Sequence, residues 1–477
     1  MRSDSRLKPS GAWMTGGFAL LALWQVFFGE KIVVNHGFGW DGKFYGEFAE
    51  APLNVLRTEG ILKERTGRIL PSLVVGTSLY LLGVPRDETH VIRAFEFLNA
   101  LVLVLAVWLY WRTARHLGWS VGVQWVGFFG LFCSWGVLKF FFFYPVLTDQ
   151  VGFFLGVLST YAFFCRKDGL LLLASLAGGF TWTTSVPTNA FLFLFPRSET
   201  PQAKVRRGPL DRLLPSFVGM GLAFALFGYR SFYGLPWGSR LSHIYIVASI
   251  AVAVVYVSVV WKKLWQFPVS KIVRLLSLKR VVPCLILFAA VSAARTVLHS
   301  HYPEHISENW RGILSHFLVR PTVHPGGFLV AHVTYAGPVL CLCLLFFKEF
   351  AEECSTLGPG PVLALLFHSL LSLDSETRHA FYIVPLLVVI LCSVLNRLWE
   401  KDAPSYRAVV GFGVLSLIWS KVWLPIHQTL ENPDTQRYYL NHGPWMTPLT
   451  FRVLSLATVG TLFVLSRLFR CRVRPAL

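Results

Sequence analysis

Residues 92–111 read IRAFEFLNALVLVLAVWLYW. Twenty residues rise about 30 Å as an α-helix, which is the thickness of a bilayer's hydrocarbon core. The stretch reads as a membrane span that Arg93 and Glu96 open from the outer side. Apolar runs of similar kind lie near 11–29, 121–143, 145–165, 213–232, 243–261, 281–299, 332–347, 358–373, 381–396, 406–426 and 448–466. The run 170–195 is different. It has a polar centre from Thr181 to Asn189, broken by Pro187, and basic residues on both flanks. A short helical hairpin that dips in and returns keeps both flanks on one side. The expected fold is therefore an all-α polytopic membrane protein with about 12–14 transmembrane helices and both termini cytoplasmic.

Composition agrees. Of 477 residues, 54% are apolar and 14% are charged, against about 25% charged in an ordinary soluble domain. A soluble chain could not hide that much apolar surface, and disorder, collagen, coiled coil and a disulfide-stapled domain are excluded with it. The net charge of +19 follows the positive-inside rule and gives no reason to expect a nucleic-acid partner. Segments 1–10, 112–119, 166–169, 197–212, 262–280, 348–356, 397–407 and 467–477, read as cytoplasmic, hold 26 of the 44 Lys and Arg. The eight cysteines show no zinc-ligand spacing and read as free, buried thiols. The apolar run 11–29 lacks a small-x-small cleavage site and reads as an uncleaved first span.

We read residues 1–477 as one integral membrane domain with two long outer loops. The first, 30–91, should carry an interfacial amphipathic helix over 46–58 and a second short apolar helix over 69–84. The second, 300–331, holds His301, His305, His316 and His324, with His299 and His332 at its borders. HSHYPEHISEN at 299–309 places His301 and His305 four apart, but Pro303 breaks the regular helix that a zinc-protease pattern needs. A polar lid is the plainer reading.

Charges sit at the outer ends of spans, not at mid-membrane. That points to a polar cavity opening at the outer leaflet, where a transporter would more often place charges near the midplane. WDGKFYGEFAE at 40–50 is the sharpest feature. Asp41 is either a general base that deprotonates an acceptor hydroxyl or an Asx-turn or helix-cap residue. Gly42 and Gly46 would admit a ligand close to the backbone.

Several motifs, in order, resemble the GT-C superfamily of membrane-embedded glycosyltransferases. WDG-x-FY follows the first span. RILPSLVVGTSLYLLG at 68–83 is similar to the Arg-Pro-Leu patch of bacterial members. YPVLTDQVGFFLGVLSTYAFF at 144–164 resembles their span with an outer Asp, and SETRHAFYIVPLLVVIL at 375–391 their late Glu-x-Arg segment. The resemblance covers about 10–200 and 358–396. It implies a catalytic module over 1–200 and a variable transmembrane module over 201–477. It further implies inverting transfer from a polyprenyl-phosphate sugar donor, bacterial mannosyltransferase-like, to a lipid, glycan or protein acceptor at the outer membrane face.

Under that resemblance Asp41 is the catalytic base. Arg378, with Arg68 and Arg295 behind it, binds the donor phosphate, or Arg378 is instead a snorkelling interfacial anchor or pairs with Glu376. Asp149 orients the acceptor, assists Asp41 or balances Lys139. Trp40, Tyr45 and Glu376 contact sugar or acceptor. A phosphate leaving group needs cations and no general acid. The motif has a single Asp and no D-x-D pair, so no metal and no other cofactor is expected, although Glu47 could add a divalent-cation ligand. No large soluble outer domain is seen, which argues against a peptide-scanning oligosaccharyltransferase. Outer asparagines lack N-x-S/T sequons, consistent with a bacterial plasma membrane. The competing classes are a lipid-linked-sugar flippase or other transporter, and a non-catalytic subunit of a membrane complex. No protein partner is identified.

Overall fold

The computed structural model describes residues 11–58, 60–198, 208–232, 240–299, 317–399, 406–426, 443 and 446–470. Among them the chain is all-α, with no strand. Seven helices are long and apolar enough to cross a membrane: Gly11–Phe28, Glu88–His116, Asp211–Tyr229, His243–Leu264, Leu278–His299, Thr377–Leu398 and Pro448–Phe469. The chain is a multi-pass integral membrane protein.

The helices divide by what they face. Thr377–Leu398 is the most buried of the seven, and Leu278–His299 is almost wholly unburied by protein. Phe224, Leu285, Phe288 and Leu456 point outward. In water such surface would drive association; in a bilayer it is the solvated face.

Of the twelve expected spans, the other five are broken or short. The run 121–143 forms two helices, Val121–Phe132 and Gly136–Phe143, bent by 53°. The bend coincides with a π-type turn over Gly136–Phe140, one of the recognised causes of sharp kinks. A Cβ on Gly136 would lie 2.4 Å from the Tyr335 ring, so this approach requires glycine. The run 332–347 divides into Gly327–Ala336 and Val339–Leu345 at Gly337, where φ is +85°, and Pro338. In 145–165 the helix begins only at Asp149. Pro359–Leu371 and Tyr406–Ser420 have 13 and 15 residues, short of the roughly 20 that a span needs. The count of 12–14 therefore included short and broken helices, because hydropathy sums over a window cannot see a bend. Residues 1–10 and 471–477, expected on the cytoplasmic side, lie outside the described residues.

The re-entrant reading of 170–195 corresponds to two packed helices, Asp168–Gly179 and Ser185–Leu194. One arginine ties their far ends together: Arg280 donates to Asp168 Oδ2 at 2.7 Å and to the Phe193 carbonyl at 2.6 Å. The chain thus returns to the side it left.

In the first long loop the amphipathic stretch starts earlier than expected, as Trp40–Glu50, then breaks before Pro52 and resumes as Pro52–Thr58. Ala51, at φ −143° and ψ 64°, has left the αR region, which a following proline disfavours. The second helix of the loop is Leu70–Leu81, packed on Trp40–Glu50 and on Glu88–His116.

Gly76 sets that packing: a Cβ there would lie 2.4 Å from the Ala49 carbonyl oxygen. Gly76→Ala should lower the stability of the purified protein by about 1–3 kcal/mol through overpacking. Gly16→Ala, on a helix face with no atom within 4 Å, should leave stability unchanged or slightly raised. Thermal or denaturant unfolding in detergent compares the two; equal midpoints would contradict the packing.

Candidate active site

Gly39 starts the site. Its φ of +76° and ψ of −164° lie where side-chain-bearing residues are rare, and a Cβ would meet the Tyr144 ring at 2.3 Å. This turn launches the Trp40–Glu50 helix and places Asp41 in its first turn. The Gly42 N–H donates to Tyr144 Oη at 3.1 Å. A Cβ at Gly42 would sit 2.4 Å from the Val146 carbonyl, and one at Gly46 would enter the Phe38 ring. Both glycines therefore admit protein neighbours, which corrects the expectation that they admit a ligand. The non-helical segment Tyr144–Thr148 is held by side chains: Gln150 donates to the Phe141 and Tyr144 carbonyls, and Asn99 to that of Pro145.

From Asp41 a chain of alternating charges runs across the site. Asp41 Oδ2 accepts from Arg378 Nη2 at 3.0 Å. Arg378 Nε donates to Glu376 Oε1. Glu376 Oε2 and Asp374 Oδ1 both accept from Arg320 Nη1, at 2.8 and 2.7 Å. Asp374 Oδ2 faces His379 Nδ1 at 2.7 Å. Of the alternatives for Arg378, the pair with Glu376 is present, and Asp41 is a second acidic partner. The Ser372–Thr377 turn that carries the acids is fixed from behind by His332. Its Nε2 donates to the Ser372 carbonyl at 2.6 Å, and its Nδ1 accepts from the Thr377 hydroxyl at 2.9 Å; the carbonyl can only accept, which sets the tautomer.

The electrostatics follow from this chain. Burial disfavours the Asp41 carboxylate, but Arg378 and then Arg68 outweigh it and hold the carboxyl below its ordinary range. Glu376 is likewise buried, yet Arg378, His379 and Arg320 hold it well below that range. Asp374, Glu376 and His379 each bring a ligand atom within 4.8 Å of the others. All four carboxylate oxygens of this group already face Arg or His. In this arrangement the set is charge-paired.

Arg68 and Arg295 extend the cationic side. The Arg68 guanidinium lies over the Trp182 ring, 4.7 Å from its centroid, a favourable cation–π seat. It is close enough to Tyr45, Arg378, Asp149 and Asp41 to feel their charges. Arg295 Nε donates to Thr66 Oγ1 at 3.2 Å, beside Arg68. Below Arg295 a cavity of about 230 Å³ opens between the helical hairpin and the Leu278–His299 helix. Its walls are mainly apolar, with Leu171, Leu287 and Phe288 among them.

The remaining expected residues are placed as follows. Asp149 is buried at the start of its helix, and neither carboxylate oxygen has a hydrogen-bond partner. It does not balance Lys139, whose ammonium bonds Glu30 at 2.8 Å. Trp40 is 38% exposed and meets Tyr144 edge-on. Tyr45 is 2% exposed with its hydroxyl facing Arg68, so its ring belongs to the core and is not open to a sugar. Glu47 pairs with Lys43 at 3.8 Å, away from Asp41. In the second loop His324 stacks on Phe451 and His299 faces the Ile61 carbonyl; His301, His305 and His316 lie outside the described residues.

Arg320, Trp182 and Tyr144 were not anticipated. Arg320 follows a histidine-rich stretch and stands in no motif of its own. Trp182 stood in a polar turn, TWTT at 181–184, and that contrast was its only local signal.

The chain is similar in structure to two solved ones. The first is the archaeal oligosaccharyltransferase AglB from Archaeoglobus fulgidus in complex with an inhibitory peptide and a dolichol-phosphate. Its TM-score is 0.41 at 11% identity, over 96% of this chain and 55% of that one. The second is the Archaeoglobus fulgidus oligosaccharyltransferase in the apo form. Its TM-score is 0.39 at 10% identity, over 94% of this chain and 56% of that one. The chain spans about half the length of these solved chains. The sequence matches no protein-family model and no curated protein.

Arg320 compensates two buried acids at once. Arg320→Gln should therefore cost about 3 kcal/mol or more at neutral pH, as removal of one partner from a buried charge network does. Arg295→Gln, whose guanidinium bonds a hydroxyl, should cost less. Both acids have depressed folded-state values, so the stabilisation exists above the ordinary carboxylate range and fades as pH falls through the depressed values. The deficit of Arg320→Gln should shrink on acidification. Unfolding curves of the detergent-solubilised proteins at pH 7 and at the lowest pH tolerated check both points.

Proposed function

We propose that the protein is a membrane glycosyltransferase of the GT-C kind, which moves a monosaccharide from a polyprenyl-phosphate donor to an acceptor hydroxyl at the outer membrane face. The observation that carries this reading is the Asp41 carboxylate set against a row of arginines, Arg378, Arg68 and Arg295. An inverting displacement at C1 needs one carboxylate on the acceptor side and cations on the departing phosphate, and these residue types stand together here.

In the proposed step Asp41 takes the proton from the acceptor hydroxyl. The hydroxyl oxygen forms the new bond to C1. The C1–O bond to phosphate breaks, and its electron pair leaves with the phosphate. Arg378 and Arg68 stabilise that charge as it grows. Asp149, a buried carboxylate without a partner, suits the binding of a further acceptor or sugar hydroxyl. The half-exposed Trp40 face suits contact with a sugar ring. The apolar cavity beneath Arg295 supports a lipid-borne donor, because it joins a hydrocarbon-lined cleft to a cation.

The test is donor turnover by purified protein in nanodiscs. A panel of labelled polyprenyl-phosphate monosaccharides would be offered with a membrane lipid extract. Wild type should transfer one of them. Asp41→Asn should lose about 10²–10⁴-fold in kcat with donor binding kept, and Arg378→Gln should weaken donor binding. Transfer by Asp41→Asn at the wild-type rate would remove Asp41 as the base. Turnover of no donor by wild type would overturn the reading as a whole.

A further inference from the structure

Arg378 uses different nitrogens for its two acidic partners. Nη2 goes to Asp41, and Nε goes to Glu376. One bond can therefore be exchanged while the other persists. The partners differ in the way such an exchange requires. The Asp41 side chain is 40% exposed, in the first turn of the Trp40–Glu50 helix, whereas that of Glu376 is 5% exposed. Glu376 is also fixed from behind, because Arg320 holds it and Asp374 together and His379 closes the far side of Asp374. Arg378 is thus tied to a buried, multiply bonded carboxylate on one side and to a more exposed one on the other.

From this geometry we infer that Asp41 is masked in the donor-free protein, and that an incoming donor phosphate unmasks it by taking over Arg378 Nη2 while Glu376 keeps Nε. The inference rests on the transferase reading above and adds to it an order of events: donor first, then acceptor. A phosphate is the stronger claimant for a guanidinium edge, since it offers several anionic oxygens in a geometry that Arg matches well.

The exchange changes what Asp41 can do. Paired with Arg378, it is a poor proton acceptor, because the charge that stabilises the carboxylate also lowers its basicity. Released, it keeps Arg68 and Arg65 nearby and gains an anionic phosphate as neighbour. The groups facing Asp41 are Arg378 from the 374–379 turn, Arg68 and Arg65 from the 65–68 turn, Tyr45 on its own helix, Tyr144 and Asp149. Of these, Arg378 is the one whose hydrogen bond to Asp41 an arriving phosphate replaces. The base becomes competent only when the leaving group is in place, and an acceptor bound alone keeps its hydroxyl proton.

The experiment compares two acid limbs of one enzyme. For wild type in nanodiscs, the pH dependence of kcat/KM for donor reports the donor-free protein, and that of kcat reports the donor complex. A phosphodiester donor has no proton of its own to lose in this range. The limb in kcat should lie about one to three pH units above the limb in kcat/KM, the usual effect of an adjacent arginine on a carboxylate. In Arg378→Gln the residual activity should show the two limbs together. Coincident limbs in wild type would overturn the masking and leave the transferase reading standing, and this comparison needs no variant to fold. Absence of transfer from every donor would instead overturn the reading on which the inference rests.

Discussion

The contact between Arg378 and Asp41 joins positions 337 residues apart, and the site is arranged around it. A guanidinium held among protein atoms draws anions around it, and those anions then need partners of their own. The requirement propagates outward, from Arg378 to Glu376, from Glu376 to Arg320, from Arg320 to Asp374 and on to His379. Arg68 cannot join this chain without repelling Arg378. It is seated instead on the Trp182 face, where a π-system supplies negative potential without a formal charge.

The bilayer explains the frame that holds these charges. Helices on the rim expose leucine, valine and phenylalanine without cost because lipid is their solvent. The same solvent forbids bare backbone, and two irregular segments among the described residues are satisfied by protein side chains. Tyr144–Thr148 is bonded by Gln150 and Asn99, and the Ser372–Thr377 turn by His332. Both irregular segments border Asp41 or Arg378. Charged side chains can converge there because helix geometry has been interrupted, and glycines at 39, 136 and 337 permit the interruptions.

Much of this was legible in the residues alone. Asp41, Arg378, Arg68 and Asp149 could be singled out because ionisable residues beside apolar runs are costly and few, and because their motifs stand in a recognisable order. The hairpin could be inferred because one crossing would have separated two basic flanks. Other features were not legible. Arg320 and Trp182 acquire meaning only from neighbours far away in sequence. Gly42 looked like an opening for a ligand, and its space is taken by Val146 and Tyr144. Lys139 looked like a partner for Asp149, and Glu30 lies closer to it in space.

Composition and hydropathy by themselves determined that this is a helical, multi-pass membrane protein. Both are sums over nearby residues, and partition into lipid depends on just such sums. The tertiary structure alone decided which helices run unbroken and which charges meet. A bend depends on what packs against one glycine, and a salt bridge depends on two side chains reaching each other through space. Neither is a sum over neighbours in sequence. The apolar runs therefore announce themselves in the chain, while the Asp41–Arg378–Glu376 arrangement exists only in the folded molecule.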